Sequence, residues 1–80
     1  MFNVYIIQSI HHPDQIYVGC TENLAGRLIS HNTGANFHTA KYKPWKIITY
    51  IVFTDKIKAY QFEDFLKTGS GREFRKRRLL

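Results

Sequence analysis

Five side chains of chemically active type are spread along this sequence: Tyr5, Tyr17, Arg27, His31 and Glu63. A phenol or an imidazole can orient or deprotonate a water molecule. A guanidinium can neutralise charge that builds up on a phosphorane-like transition state, and a carboxylate can hold a divalent cation. Gathered in one place, the five could drive hydrolysis at phosphorus. Spacing alone does not gather them, and each has an ordinary reading. Tyr5 and Tyr17 could pack on a sheet with their hydroxyls at the edge. Arg27 could lay its stem along an apolar stripe, and His31 could sit near a helix C-terminus, where positive charge is welcome. Three readings stand open for Glu63: a salt bridge to a lysine or to Arg27, a solvated helix edge, or a metal ligand.

The elements that must position these groups follow from the apolar pattern. Residues 2–8 are β-branched and aromatic and predict a strand, and 9–14 (with His11, His12, Pro13 and Asp14) predict a turn. Ile16-Tyr17-Val18 resumes the strand and Gly19 ends it, so the two runs can form an antiparallel hairpin, which could set the two tyrosines opposite or diagonal with both phenols on one face. Thr21 is a helix N-cap, and Leu24, Leu28 and Ile29 recur at helical spacing until Asn32-Thr33-Gly34, predicting a helix over 22–32. Arg27 and His31, four apart, share its face. Residues 33–45 read as a loop, and Trp45 to Phe53 as a strand apolar enough to be central.

Thr54 or Asp55 caps the next helix, in which Ala59, Phe62, Glu63 and Leu66 fall on one side. Gly69 suits a left-handed C-terminal position. Ser70 with Glu73 matches a capping box opening a last helix over 71–78. The expected fold is α+β: a small three-stranded antiparallel sheet flanked by three helices, in the order β-β-α-β-α-α.

Eighty residues make a single domain, 1–80, with a modest core. Cys20 is the one cysteine and fits a reducing, cytoplasmic setting. Met1 to Tyr5 lacks the basic start of a signal peptide. The longest near-apolar run, Ile47 to Phe53, is far below the roughly 20 residues that span a bilayer.

Charge points to a polyanionic partner. Twelve basic residues stand against six acidic ones, for a net charge of +6 and a pI near 9.7. The last fourteen residues, with Lys67, Arg72, Arg75, Lys76, Arg77 and Arg78 against Glu73 alone, carry +5 of it. Such a patch is a phosphate-binding track, extended by Lys41, Lys43 and Lys46, or a solubilising tail; a membrane surface is a weaker third reading, since the tail lacks a broad apolar face. No base-reading module is visible, which favours recognition of structure over recognition of sequence.

Asn3-Val4-Tyr5 followed by Tyr17-Val18-Gly19 resembles the paired motif of the GIY-YIG nuclease superfamily. Asn23 to Leu28 with His31 to Gly34 is similar to that family's first helix. Ala59 through Glu63 to Arg72 resembles the second helix and tail of its small stand-alone bacterial members, which are similar to the N-terminal nuclease domain of excinuclease C. The resemblance covers nearly the whole chain. It implies a DNA endonuclease with a single Mg²⁺ or Mn²⁺ on Glu63, Tyr17 as general base, Tyr5 positioning or deprotonating the water, and Arg27 on the scissile phosphate. His31 matches a position filled by His or Tyr across the family. Asn3 stands where the motif has Gly, Cys20 stands where the excinuclease domain has Lys, and no Asn follows Glu63. A homodimer or a partner protein is expected to help such a small domain hold DNA, and a module that binds without cutting is the alternative.

Overall fold

The computed structural model describes residues 1–80. The elements are β1 (Phe2–Ser9), β2 (Ile16–Thr21), α1 (Leu24–Thr33), α2 (Phe37–Ala40), β3 (Trp45–Phe53), α3 (Lys56–Leu66) and α4 (Gly69–Arg78). This is the expected antiparallel sheet with flanking helices, plus one short helix. That helix, α2, replaces the loop expected over 33–45, because the Asn36 side chain accepts a hydrogen bond from the His38 N–H and starts a single turn.

The strand order is β2-β1-β3, so β1 is central and β3 lies at an edge, contrary to expectation. The four consecutive residues Val4 to Ile7 are almost wholly buried. Their alternation feeds two cores. Val4 and Ile6 join Val18, Ala59 and Leu66 beneath α3, while Tyr5 and Ile7 join Trp45, with Tyr17, Leu24 and Leu28 packed on them beneath α1. β3 is apolar almost throughout yet leaves Tyr50 and Val52 about half exposed, so its composition did not mark its place.

Strand β2 runs through Gly19 to Thr21 rather than stopping at the glycine, because Gly19 pairs with Tyr5, and Cys20 and Thr21 continue the ladder with Val4 and Asn3. Thr21 is therefore not a helix cap. Its hydroxyl accepts from the Asn23 N–H, and Asn23 caps α1 by accepting from Gly26, which moves the helix start to Leu24. Gly34 closes α1 in the left-handed region at φ 81°, where glycine has no Cβ penalty.

Asp55 caps α3, as one of the two expected choices. Beyond it the expectation fails by two residues. Thr68, not Ser70, caps α4 by accepting from the Gly71 N–H, and Gly69 is the first residue of that helix rather than a left-handed stop. Helix α3 ends on tightened turns, Lys67 N–H to Asp64 and Thr68 N–H to Phe65, which leave no need for positive φ. The corner requires glycine one turn later: a Cβ on Gly71 would collide with the Phe65 carbonyl. Phe62, Phe65 and Phe74 then stack tilted or edge-on at 5.8–6.2 Å and bind α4 to α3.

Candidate active site

The site begins with the pairing of Tyr5 and Gly19. Directly opposed residues of an antiparallel pair point to the same face, so the Tyr5 ring lies across the glycine. A Cβ at position 19 would collide with Tyr5 Oη and Cζ and would stand 2.9 Å from Cε1. The glycine is therefore the floor on which the phenol rests. Tyr17 pairs with Ile7, two positions from Gly19, and so projects from the same face as Tyr5 along the diagonal.

Helix α1 lowers His31 between the two phenols. The imidazole is fully buried, with ring centroids 5.9 Å from Tyr5 and 5.2 Å from Tyr17. The helix-terminus reading of His31, as a residue welcomed for its positive charge, is thus overturned. Burial holds its pKa below the ordinary imidazole range, with the Arg27 charge adding to the effect. His31 Nε2 lies 3.0 Å from Tyr5 Oη and Nδ1 lies 2.6 Å from Thr39 Oγ1. The Thr39 hydroxyl is aimed at the Asn36 carbonyl at 3.5 Å. Nδ1–H then donates to Thr39, and Nε2 accepts the Tyr5 proton. Tyr5 consequently directs its O–H toward the imidazole, and its oxygen is left to accept from the Arg27 side.

Thr39 is the functional residue that sequence reasoning missed. Its own carbonyl accepts from Trp45 Nε1 at 2.8 Å, and Asn32 bonds the Trp45 backbone through both its side-chain atoms, so α1, α2 and β3 are tied around His31. A threonine eight residues beyond a histidine carries no local signal of that contact. The nearest legible cue is the Asn36 helix start that sets its orientation.

The Tyr5 pKa is raised to about 12, first by burial; Arg27 pulls it down, and Tyr17 and Glu63 push it up. The Cys20 thiol is likewise raised, by burial and then by Glu63, against Arg27. Arg27 comes from α1 on one side of the sheet and Glu63 from α3 on the other. Both charges bear on Tyr5 and Cys20, from opposite faces of the sheet. Glu63 is partly buried and its Oε2 lies 2.8 Å from Lys67 Nζ. Of the three readings open for Glu63, the lysine salt bridge is the one present.

The residues nominated for nucleic-acid binding divide in two. Lys41 and Lys43 follow α2 on the α1 side of the sheet, while Lys67, Arg72, Arg75, Lys76, Arg77 and Arg78 belong to the α3–α4 side. Arg75 is half-buried, and burial followed by Arg72 lowers its pKa. Arg77 is held by Glu73 at 2.8 Å, and Lys67 by Glu63. The six therefore do not form one free cationic track with the lysines of the α2 segment.

A sign follows for stability. Above pH about 6.5, the unperturbed imidazole value, His31 is neutral in both folded and unfolded chains and contributes no pH dependence. Below it the unfolded chain takes up a proton that the folded site resists. Folding stability is expected to fall with decreasing pH from about 6.5, by at most about 1.4 kcal/mol per unit from this group. Urea midpoints between pH 5 and 8 measure the slope. His31→Gln should flatten it, and a flat wild-type profile would refute the assignment.

A register that lays a strand tyrosine over a glycine, a second tyrosine on the diagonal, and an arginine and a glutamate arriving from opposite faces define a nuclease-like domain of one kind. The GIY-YIG catalytic domain family model matches residues 1–78, and the chain belongs to that family. It is 34% identical to the structure-specific endonuclease subunit SLX1 of Debaryomyces hansenii, over 82% of this chain and 21% of that protein. It is 36% identical to the protein of the same name from Kluyveromyces lactis, over 74% and 23%. With the SLX1 homolog of Drosophila mojavensis it shares 35% identity, over 78% and 23%. The chain spans about a fifth of the length of these curated relatives.

Proposed function

We propose that this domain is a divalent-cation-dependent endonuclease that hydrolyses phosphodiester bonds in branched DNA. The observation that supports it most is the Tyr5 phenol laid over Gly19 and bonded to buried His31, with the charges of Arg27 and Glu63 both bearing on it from opposite faces of the sheet. A positive and a negative side chain there suit the two needs of phosphoryl transfer: charge neutralisation on the phosphate and a seat for a cation. The relatives' description as structure-specific endonuclease subunits supports both the reaction and the preference for branched substrates.

The donor set fits a small hard cation. One carboxylate, with water and substrate phosphate oxygens completing the shell, is how Mg²⁺ is commonly held. Glu63 already neutralises a cation, the Lys67 ammonium, at 2.8 Å. When bound, Mg²⁺ or Mn²⁺ would supply Lewis-acid stabilisation of the phosphate. Arg27 would bind the scissile phosphate and offset its charge. Tyr5, its pKa raised to about 12 by burial, stays protonated at neutral pH and is a poor base there. Its part is to position the attacking water, leaving Tyr17, as its phenolate, to take the proton.

The word subunit in the relatives' names supports a second element of the reading, that a partner protein or a second copy presents the DNA. The test is incubation of the purified domain with three-way junction, flap and plain duplex DNA, with Mg²⁺ and with EDTA. Cutting that needs the cation and favours the branched substrates is expected. Binding without cutting under every condition would replace the reading with that of a DNA-holding module.

A further inference from the structure

The proposed activity leaves unexplained the most exposed aromatic ring in the molecule. Phe37 opens α2 and is 88% exposed, although burial of such a ring is strongly favoured in water. Its one aromatic partner is His38, edge-on at 5.8 Å and itself exposed. The surroundings are cationic without opposition. From Asn23 to Thr54 the chain has no Asp or Glu, and Arg27, Lys41, Lys43 and Lys46 all fall within that stretch. Lys41 and Lys43 are exposed and form no salt bridge. The six residues of the basic C-terminal stretch, by contrast, share their side of the sheet with Glu63, Asp64 and Glu73.

The position of Phe37 relative to the site is fixed by hydrogen bonds. Two residues on, Thr39 is buried and holds the His31 ring at 2.6 Å, and that ring holds Tyr5 at 3.0 Å. A ring raised into solvent, followed within six residues by two exposed lysines and tied through two buried hydrogen bonds to a phosphodiesterase-like site, has the makings of a stacking platform. Such platforms combine a cationic path for the backbone with an aromatic face for a base.

We infer that Phe37 stacks on an unpaired nucleobase at the branch point of a DNA substrate, with Lys41 and Lys43 on the flanking phosphates. A base inside a duplex has both faces occupied by its neighbours, whereas a base at a branch has one face free. The contact therefore discriminates branched from continuous DNA without reading sequence. The inference takes its choice of ligand from the endonuclease reading, but its test does not depend on cleavage.

The experiment uses a three-way junction with 2-aminopurine as the unpaired base at the branch, in EDTA so that nothing is cut. Wild type is expected to change the probe's fluorescence on binding. Phe37→Ala is expected to abolish that change and weaken junction binding about tenfold, with plain duplex binding unaltered. Phe37→Tyr is expected to restore both. The side chain is exposed, so the variants fold as wild type does, and circular dichroism checks this. Wild-type binding with no fluorescence change, or a response equal in Phe37→Ala, overturns the inference and leaves the endonuclease reading standing. A Phe37-dependent response in a protein that cuts nothing with Mg²⁺ does the reverse. Absence of any DNA binding overturns both.

Discussion

Glu63→Gln is expected to lower Mg²⁺-dependent cleavage by at least about a hundredfold and to leave the fold intact. The substitution keeps the shape and the acceptor oxygen but removes the charge that would neutralise a cation. Its cost to stability should stay under about 1 kcal/mol, because the ion pair it weakens is with a lysine whose side chain is 49% exposed. Lys67→Met supplies the complementary result. With the ammonium gone from its place 2.8 Å from Oε2, the carboxylate no longer has to exchange one cation for another. Mn²⁺ affinity, read by electron paramagnetic resonance without DNA, should rise in Lys67→Met and vanish in Glu63→Gln. Wild-type cleavage rates in Glu63→Gln would remove Glu63 from the mechanism.

A second large effect is expected from a single methyl group. Gly19→Ala puts a carbon where the Tyr5 phenol lies, and the ring must leave the glycine floor. That breaks the Tyr5–His31 bond and misplaces the group that orients the water. A displacement on the order of 1 Å at such a position costs about a hundredfold in rate. The overpacked core should lose about 1–3 kcal/mol, roughly 4–8 °C of melting temperature for each. Tyr5→Leu combined with Gly19→Ala relieves the collision, so the double variant should recover stability but not activity. A Gly19→Ala protein with wild-type melting temperature and rate would show that the floor is dispensable.

Most of the fold was legible because local signals and burial agree. The hairpin runs, the Gly34 stop and the Asp55 cap all stand as expected. The misreadings share a cause. Several residues competent for one local task lay close together, and tertiary geometry chose among them. Thr21 and Asn23 can both cap, but Thr21 is claimed by the sheet. Thr68 and Ser70 can both cap, but only Thr68 lets Gly71 pass close to the Phe65 carbonyl. The Trp45–Phe53 run looked central because it is apolar, yet Phe2–Ser9 is nearly as apolar and pairs on both sides.

Part of the candidate set is brought together: Tyr5, Tyr17 and His31 lie ring against ring, while Arg27 and Glu63 bear on Tyr5 from opposite faces of the sheet. Their division of labour was not legible in the sequence. The burial that makes Tyr5 a poor base and keeps His31 neutral depends on the closing of α1 and α2 over the sheet. The Thr39 hydroxyl that fixes the imidazole joins residues with no periodic relation.

The central placement of β1 has a consequence for motion. Amide protons of Val4 to Ile7 are shielded from both sides and bonded into two ladders, so their exchange with solvent requires disruption of the whole sheet. Tyr5 thus belongs to the last part of the molecule to open. The segment from Gly34 to Pro44 lies outside those ladders, but Thr39 ties it to His31 and through it to Tyr5. A shift of that segment on a differently shaped substrate is then felt at the Tyr5 hydroxyl through two hydrogen bonds, while the strand that carries Tyr5 keeps its place.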